Sequence, residues 1–332
     1  MIPNPIAPTV DFEADGIQHG FLRLPWSRNE SAWGNLMIPI TVVRNGFGPT
    51  ALLTGGSHGD EYEGPIALSD LARNITLEEV NGRIIIVPFL NYPAFRAGTR
   101  LSPIDAFNLN RTFPGRPDGS VTEKIADFVL RVLVPMADLV LDFHSGGKTL
   151  DFLPFAACHV LENKEQERRC REARDAFSAP YSMTMLEIDN VGMLDTEVEA
   201  LGKIFVTTEL GGGGTATSTS AGIAKRGVRN VLKHMEILAG EREESPSVAL
   251  DMPGPECFCF SEAEGFVEPL VDLGAKVKKG DPLLYVHPVD RLDLRPGEYR
   301  AGLDGILASR HFPGLTRLGD CLAVVAVPDG SV

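Results

Sequence analysis

The chain has 332 residues, 43% of them hydrophobic, and a mean hydropathy of zero, which is typical of a globular protein of about two domains. Its 45 acidic residues outnumber 31 basic ones, and the net charge of −14 argues against binding to nucleic acids or anionic membranes. No apolar run approaches the roughly 20 residues of a membrane span, and the amino terminus lacks a signal-peptide pattern. Five cysteines without a CxxC pair predict reduced thiols in the cytoplasm.

The first 50 residues are predicted to be β-structure, with strands over 16–25 and 37–43. From Thr50 onward, predicted strands alternate with predicted helices. The strands cover 50–54, 83–91, 139–143 and 204–210, and the helices cover 62–75, a segment that begins with the capping box Ser120 to Glu123, 163–177, and 221–239 up to Gly240. This alternation predicts an α/β fold in which helices cover both faces of a central sheet.

The remainder of the chain is predicted to be a separate all-β unit. Residues 241–255 are charged, rich in Ser and Pro and without periodicity, which is typical of a linker. Beyond them, residues 265–290 align with 305–329, each with a turn ending in Gly-Asp and an apolar strand. Two hairpin units of this kind predict a small β-sandwich with pseudo-twofold symmetry. We therefore place domains at 1–245 and 246–332.

The repeat resembles lipoyl- and biotinyl-carrier domains, which attach their cofactor to a lysine between the two halves. Here the connecting stretch 287–305 contains no lysine. We therefore expect the C-terminal domain to be architectural or to form a rim on the active site.

Polar residues follow the predicted strands at their carboxyl ends, the edge where open α/β sheets bind ligands. His58 and Glu61 lie in Gly-Gly-Ser-His-Gly-Asp-Glu, and their spacing allows one loop to present both side chains to a metal ion. His144 follows another strand, in Asp-Phe-His-Ser-Gly-Gly. Two histidines and a glutamate are the ligand set of a catalytic zinc ion, whose fourth position is left to water.

Two further groups complete the predicted site. Glu209 ends a strand and precedes four glycines that would let the backbone approach a substrate. A carboxylate beside an open metal position is the general base that a zinc hydrolase needs. The loop 92–120 supplies the candidates Arg96, Arg100, Asn108, Asn110 and Arg111. Arginines there would bind a carboxylate or stabilise an oxyanion. The other histidines are predicted to be structural: His19, His159, His234, His287 and His311.

A serine hydrolase is an alternative, because Gly55-Gly-Ser57-His-Gly59 also matches the GxSxG nucleophile pattern between a strand and a helix. A Ser-Asp-His mechanism requires a later histidine at a strand end, and no histidine after His144 ends a predicted strand of the α/β part. This hypothesis also gives no role to Glu61 or Glu209.

The motifs HGDE, NLNR, DFHSGG and TTELGG, in this order and before a small β domain, resemble the succinylglutamate desuccinylase/aspartoacylase family. The resemblance implies amidohydrolase activity and a zinc-carboxypeptidase fold with a mixed central sheet. It implies one zinc ion per chain, held by His58, Glu61 and His144, with Glu209 as the general base. It further implies that Arg100, Asn110 and Arg111 bind the substrate carboxylate or polarise the amide carbonyl. Asn108 departs from the family pattern, in which an acid is common, and this leaves the orientation of Arg111 open.

Four stretches are similar to the branch of the family that deacetylates N-α-acetyl-L-2,4-diaminobutyrate in ectoine degradation: 8–25, 109–128, 142–160 and 312–326. The implied partner is a small N-acyl amino acid, whose side-chain ammonium would need an acidic wall. Candidates for that wall are Glu187, Asp189 and Asp195. Acetylaspartate or succinylglutamate as substrate, and a non-catalytic binding protein on the same scaffold, are the remaining alternatives.

Overall fold

The computed structural model describes residues 3–186 and 188–329. The strands are β1 (Ala7–Pro8), β2 (Gly16–Pro25), β3 (Asn35–Asn45), β4 (Thr50–Gly55), β5 (Gly82–Val87), β6 (Leu139–His144), β7 (Leu150–Phe152), β8 (Phe155–Cys158), β9 (Tyr181–Thr184), β10 (Ile204–Glu209), β11 (Val248–Asp251), β12 (Phe258–Phe260), β13 (Gly265–Pro269), β14 (Lys276–Val277), β15 (Pro282–His287), β16 (Gly297–Arg300), β17 (Gly305–His311), β18 (Leu315–Thr316) and β19 (Cys321–Pro328). The helices are α1 (Glu63–Asn74), α2 (Tyr92–Ala97), α3 (Val121–Phe128), α4 (Val134–Met136), α5 (Lys164–Phe177), α6 (Leu194–Ala200) and α7 (Ser218–His234), and a π-helical segment, Val129–Leu133, joins α3 to α4. None of the described helices is long and apolar enough to cross a membrane.

A mixed sheet of 15 strands forms the centre of the molecule. Its order is β1-β2-β3-β5-β4-β6-β10-β8-β9-β11-β19-β17-β14, with β12 on β19 and β7 on β17. The strands β5, β4, β6 and β10 are parallel neighbours, whereas β3 and β8 pair antiparallel with the two ends of that group. The mixed α/β sheet that the sequence predicts is therefore confirmed.

Helices cover both faces of this sheet because its central strands are apolar on both sides. In β4, Leu53 packs in a cluster with α1, α5 and α7, and the adjacent Leu52 packs in a second cluster with α3 and α6. All six residues of β4 and of β6 are buried. The face that Leu52 shares with α3 and α6 is the face on which the polar residues of the site lie.

Most predicted elements are confirmed, with shifted ends. The capping box between Ser120 and Glu123 opens α3 as predicted. The strand predicted over 83–91 ends at Val87, because the chain turns there into α2. The last helix of the α/β part begins three residues earlier than predicted and ends at His234, because Glu236 takes a left-handed backbone conformation.

The linker predicted over 241–255 is wrong for its central residues, which form β11. This strand is parallel to β9 and antiparallel to β19. Only Leu250 of its four residues is fully buried, so β11 has no apolar pattern by which the sequence could reveal it. The strand is held by its hydrogen bonds to the two neighbouring strands. The main sheet consequently continues past residue 246, and the division into two domains at that point stays a prediction.

The two repeated hairpin units are confirmed in the C-terminal part. In the first unit β13 pairs with β15 in a four-stranded sheet, and in the second β17 pairs with β19 in the main sheet. The short strand β14 of the first unit pairs with β17, and β18 of the second unit pairs with β13. Each unit thus contributes a two-residue strand to the sheet of the other, and the β-sandwich with pseudo-twofold symmetry stays a prediction.

Candidate metal centre

The loop after β4 and the last residue of β6 bring His58, Glu61 and His144 together. Glu61 lies between the two rings, with Oε1 2.6 Å from His58 Nδ1 and Oε2 2.9 Å from His144 Nδ1. All three side chains are buried, and one ligand atom from each lies within 4.8 Å of the others. The sequence prediction that these residues share one site therefore agrees with their positions.

Asn108 fixes which nitrogen of His58 carries hydrogen. Its Oδ1 lies 3.0 Å from His58 Nε2 and accepts a hydrogen bond from the backbone N–H of Asn110, also at 3.0 Å. Because a backbone N–H can only donate, the oxygen end of the amide faces both groups. His58 Nε2 must then donate, and this leaves the Nδ1 lone pair directed toward Glu61.

Asp142 has the same function for the other histidine. Its Oδ2 accepts from His144 Nε2 at 2.9 Å, and its Oδ1 accepts from the hydroxyl of Thr54 at 2.6 Å. The Nδ1 atoms of both rings therefore face the oxygens of one carboxylate. Atoms that carry lone pairs repel each other at such distances, so a positive charge, either a proton or a metal ion, belongs among them. Two imidazoles oriented by outer hydrogen bonds, with a carboxylate, fit zinc.

The pKa shifts of Glu61 and His144 reflect this demand for positive charge, whereas burial keeps His58 neutral. Burial lowers the pKa of His58, although Glu61 opposes the shift. Burial also disfavours the charged form of His144, but Asp142 and Glu61 outweigh it and raise its pKa well above the ordinary value. Burial alone would raise the pKa of Glu61, and the two histidines lower it instead.

Glu209 lies beside this group. It ends β10 and is paired in register with His144 of β6, so both side chains project from the same face of the sheet. Both line a cavity of about 320 Å³. The lining contains the seven residues to which the family resemblance assigns metal binding, catalysis or substrate binding: His58, Glu61, Arg100, Asn110, Arg111, His144 and Glu209.

The three candidate arginines, of which Arg96 lies in α2 rather than in the predicted loop, have different surroundings. The Nη1 atom of Arg100 lies 3.3 Å from His58 Nδ1 and 3.5 Å from Glu61 Oε1. Arg100 therefore borders the metal group, which consists of His58, Glu61 and His144. Arg111 donates to the backbone carbonyl of Asn110, whose side-chain oxygen accepts from the N–H of Leu194. Arg96 lies over the ring of Tyr92 and lines a separate surface groove, so it is not part of this cavity.

The cavity becomes apolar with distance from the metal group. Phe155 of β8 is paired in register with Glu209 of β10. Two residues earlier on β10, Thr207 is paired with Ala157 of β8, which is paired in turn with Met183 of β9. Asp189 and Asp195 form part of the wall, and Asp195 is buried. Glu187 lies outside the described residues. Strands of the C-terminal part complete the enclosure with Phe258, Phe260, Cys321 and Val324.

The glycines after Glu209 have a different role from the predicted one. Gly212 forms a β-bridge with Asp151, and a Cβ atom there would lie 1.9 Å from the carbonyl oxygen of Leu150. None of these four glycines is among the described residues that line the cavity. Gly212 allows close packing of the backbone against β7, and a Cβ atom at Gly213 would overlap the ring of Phe312.

The serine hypothesis finds no support in the geometry. Ser57 is buried, and it is not among the described residues that line the cavity. A nucleophile elbow strains the backbone at the serine, whereas here the left-handed residue is Gly56, with φ +65°. Of the five other histidines, none is among those lining residues either; His19 bonds to Thr41 and His287 to Glu268.

Asp142 and Thr54 belong to the site but were not among the residues predicted from the sequence. The spacing Asp-x-His on a strand places both side chains on one face, and this was an available signal for Asp142. Thr54 is the partner of Asp142 in the parallel register between β4 and β6, which only the structure reveals.

Comparisons with known proteins agree with this architecture. The succinylglutamate desuccinylase/aspartoacylase catalytic domain matches residues 47–235. The N-alpha-acetyl-L-2,4-diaminobutyric acid deacetylase of Halomonas elongata is 56% identical over 326 residues, which cover 98% of this chain and 95% of that protein.

Two solved structures match over nearly their whole length. The product-bound ectoine utilization protein EutE (DoeB) of Ruegeria pomeroyi is 60% identical with a TM-score of 0.97, and the match covers 98% of this chain and 100% of that chain. A succinylglutamate desuccinylase from Silicibacter sp. TM1040 is 59% identical with a TM-score of 0.96, covering 99% and 100%. The motif order, the fold and these matches agree: the chain belongs to the succinylglutamate desuccinylase/aspartoacylase family.

Proposed function

We propose that this protein is a zinc-dependent amidohydrolase that converts N-α-acetyl-L-2,4-diaminobutyrate and water to acetate and L-2,4-diaminobutyrate, in ectoine degradation. The names of the Halomonas and Ruegeria relatives support the substrate and the pathway. The observation that carries the reaction type is one cavity that unites a His-Glu-His group, the carboxylate of Glu209 at a strand end and two arginines.

His58, Glu61 and His144 would hold the zinc ion. When bound, zinc supplies a Lewis acid that polarises an acyl carbonyl and lowers the pKa of a water molecule. Glu209 takes a proton from the attacking water and delivers it to the amide nitrogen as the C–N bond breaks, so that the amine leaves neutral. Its position beside His144 on the same face of the sheet supports this role.

Arg100 and Arg111 each stabilise a negative charge of the substrate. Arg100, at the mouth of the metal group, stabilises the charge that develops on the acetyl oxygen during attack. Arg111 binds the α-carboxylate of the substrate. Asn110 stabilises the turn that contains Arg111, because its side-chain oxygen accepts a hydrogen bond from the N–H of Leu194. A guanidinium suits both tasks because it stays charged and donates in a fixed plane.

The far part of the cavity accommodates the substrate side chain. Its apolar floor of Phe155 and Met183 suits methylene groups, and the carboxylates of Asp189 and Asp195 in the wall suit a terminal ammonium. A side-chain carboxylate, as in acetylaspartate, would meet those acids and be repelled. This arrangement favours the diaminobutyrate derivative over the anionic alternatives.

The test combines metal content with acetate release, before and after chelation. We expect about one zinc ion per chain, activity that chelation abolishes and zinc restores, and faster turnover of N-α-acetyl-L-2,4-diaminobutyrate than of N-acetyl-L-aspartate. Arg100→Ala should reduce turnover strongly. Arg96→Ala is the matched control, because Arg96 lies nearby in α2 but outside the cavity, and it should leave turnover unchanged.

Other results would change the assignment. Bound zinc with preferred turnover of acetylaspartate would retain the hydrolase and discard the substrate. Turnover that resists chelation and is abolished by a serine-directed reagent would replace the zinc mechanism with one based on Ser57.

A further inference from the structure

The two histidines of the metal group have outer partners of different charge. His144 Nε2 donates to the buried carboxylate of Asp142, whereas His58 Nε2 donates to the neutral amide of Asn108. The distances are nearly equal, 2.9 and 3.0 Å, so charge rather than geometry distinguishes the pairs. A charged acceptor polarises an imidazole more than a neutral one and makes its other nitrogen a better metal ligand.

We propose that Asn108 is a positioning residue that fixes the orientation of His58 while keeping it the weaker of the two histidine ligands. The proposal rests on the proposed zinc site. With Asn108 neutral, two carboxylates, those of Glu61 and Asp142, are hydrogen-bonded to the two histidines. A carboxylate at position 108 would add a third negative charge and bind the metal more tightly. The metal would then polarise a substrate oxygen less.

Asn108 also connects the metal group to the substrate turn. Its side-chain oxygen accepts from the N–H of Asn110, and its backbone carbonyl accepts from the N–H of Arg111 and the hydroxyl of Thr112. The same residue therefore sets the direction of His58 and the start of the turn that carries Arg111. Among the described residues, no hydrogen bond involves Asn108 Nδ2.

This last point makes Asn108→Asp a clean test. An aspartate oxygen can accept from His58 and Asn110 as the amide oxygen does, and the second oxygen replaces an amino group that makes no hydrogen bond to the described residues. The substitution therefore changes charge with little change in geometry. Asn108→Ala removes the acceptor, and Asp142→Asn is the matched control, because it makes the opposite change of charge at the other histidine.

The first measurement is zinc affinity, by competition with a chelating dye. We expect Asn108→Asp to bind zinc about tenfold more tightly than the parent protein, Asp142→Asn about tenfold more weakly, and Asn108→Ala roughly 10- to 100-fold more weakly. Acetate release by Asn108→Asp should fall although its site is fully loaded with zinc. A protein in which Asn108 merely supports the fold would show equal affinity in Asn108→Asp.

The second measurement is ¹⁵N NMR of the histidine side chains, with thermal unfolding as a check on the fold. His58 should retain hydrogen on Nε2 in the parent and in Asn108→Asp, and lose that preference in Asn108→Ala. Equal zinc affinity of Asn108→Asp and the parent would overturn this proposal and leave the proposed function intact. A parent protein that binds no zinc would overturn both.

Discussion

Two glycines of α7 should respond in opposite ways to the same substitution. Gly222 is exposed, and a Cβ atom there would meet nothing within 4 Å. Gly227 lies over the ring of Phe177, and its Cβ would lie 2.3 Å from two ring atoms. Phe177 is fully buried and packs against Phe143, with ring centroids 5.9 Å apart. We predict that Gly222→Ala stabilises the protein and that Gly227→Ala destabilises it.

The magnitudes follow from helix propensity and overlap. Alanine is favoured over glycine in a helix interior by about 1 kcal/mol, which is the whole effect at Gly222. At Gly227 the new methyl group would stand more than about 1 Å inside the usual carbon contact distance of roughly 3.5 Å. Because Phe177 is enclosed, we take the upper end of the overpacking range, about 3 kcal/mol. Gly227→Ala should therefore cost about 2 kcal/mol after the propensity gain.

Thermal unfolding followed by circular dichroism tests the pair. An unfolding entropy of about 2.1 cal/mol/K per residue implies about 0.7 kcal/mol per degree for this chain. The expected changes in midpoint are then about +1.5 °C for Gly222→Ala and −3 °C for Gly227→Ala. Adding Phe177→Leu to Gly227→Ala should cost less than the two single effects combined, because the smaller side chain removes the overlap. A Gly227→Ala protein as stable as Gly222→Ala would refute the reasoning.

Three further outcomes are expected. Glu209→Gln should keep its zinc and lose about 10²- to 10⁴-fold in kcat, as measured by metal content and acetate release; full activity would remove it as the base. Burial raises the pKa of all five thiols, to about 12 for Cys321, so a thiol reagent should label the native protein slowly and the unfolded protein fully. Although burial opposes it, hydrogen bonds from Thr122 lower the pKa of Asp105. A lowered folded-state pKa gives stability above the unfolded value of about 3.9 that is lost as the pH falls through the folded value. The difference in unfolding midpoint between the parent and Asp105→Asn should therefore be present at neutral pH and shrink below about pH 4, and a constant difference would contradict this assignment.

The sequence alone predicts those site residues that lie at the carboxyl end of a strand. His58, His144 and Glu209 each follow or end an apolar strand, and β4, β6 and β10 are parallel neighbours, so their carboxyl ends meet at one edge. Periodicity and one rule about parallel sheets are enough to bring these three residues together.

Other parts of the site depend on contacts between distant segments that carry no local signal. The bond from His58 to Asn108 spans 50 residues, and that from Asn110 to Leu194 spans 84. Phe258 and Phe260 reach the cavity only because β12 pairs with β19, and no periodicity in either segment specifies that pairing. The sequence therefore predicts the chemically active residues of the site better than the residues that form the walls of its cavity.

The strand order has a consequence for synthesis of the chain. The proposed metal ligands and Glu209 have all been synthesised when residue 209 leaves the ribosome, whereas β19, which pairs with the edge of β11, ends only at Pro328. Amino-terminal segments fold first during translation, so that edge of β11 stays unpaired until β19 emerges. We therefore expect a nascent chain that can take up metal before it can enclose a substrate. Loss of even the final strand would yield a protein that keeps its metal ligands but aggregates through that open edge.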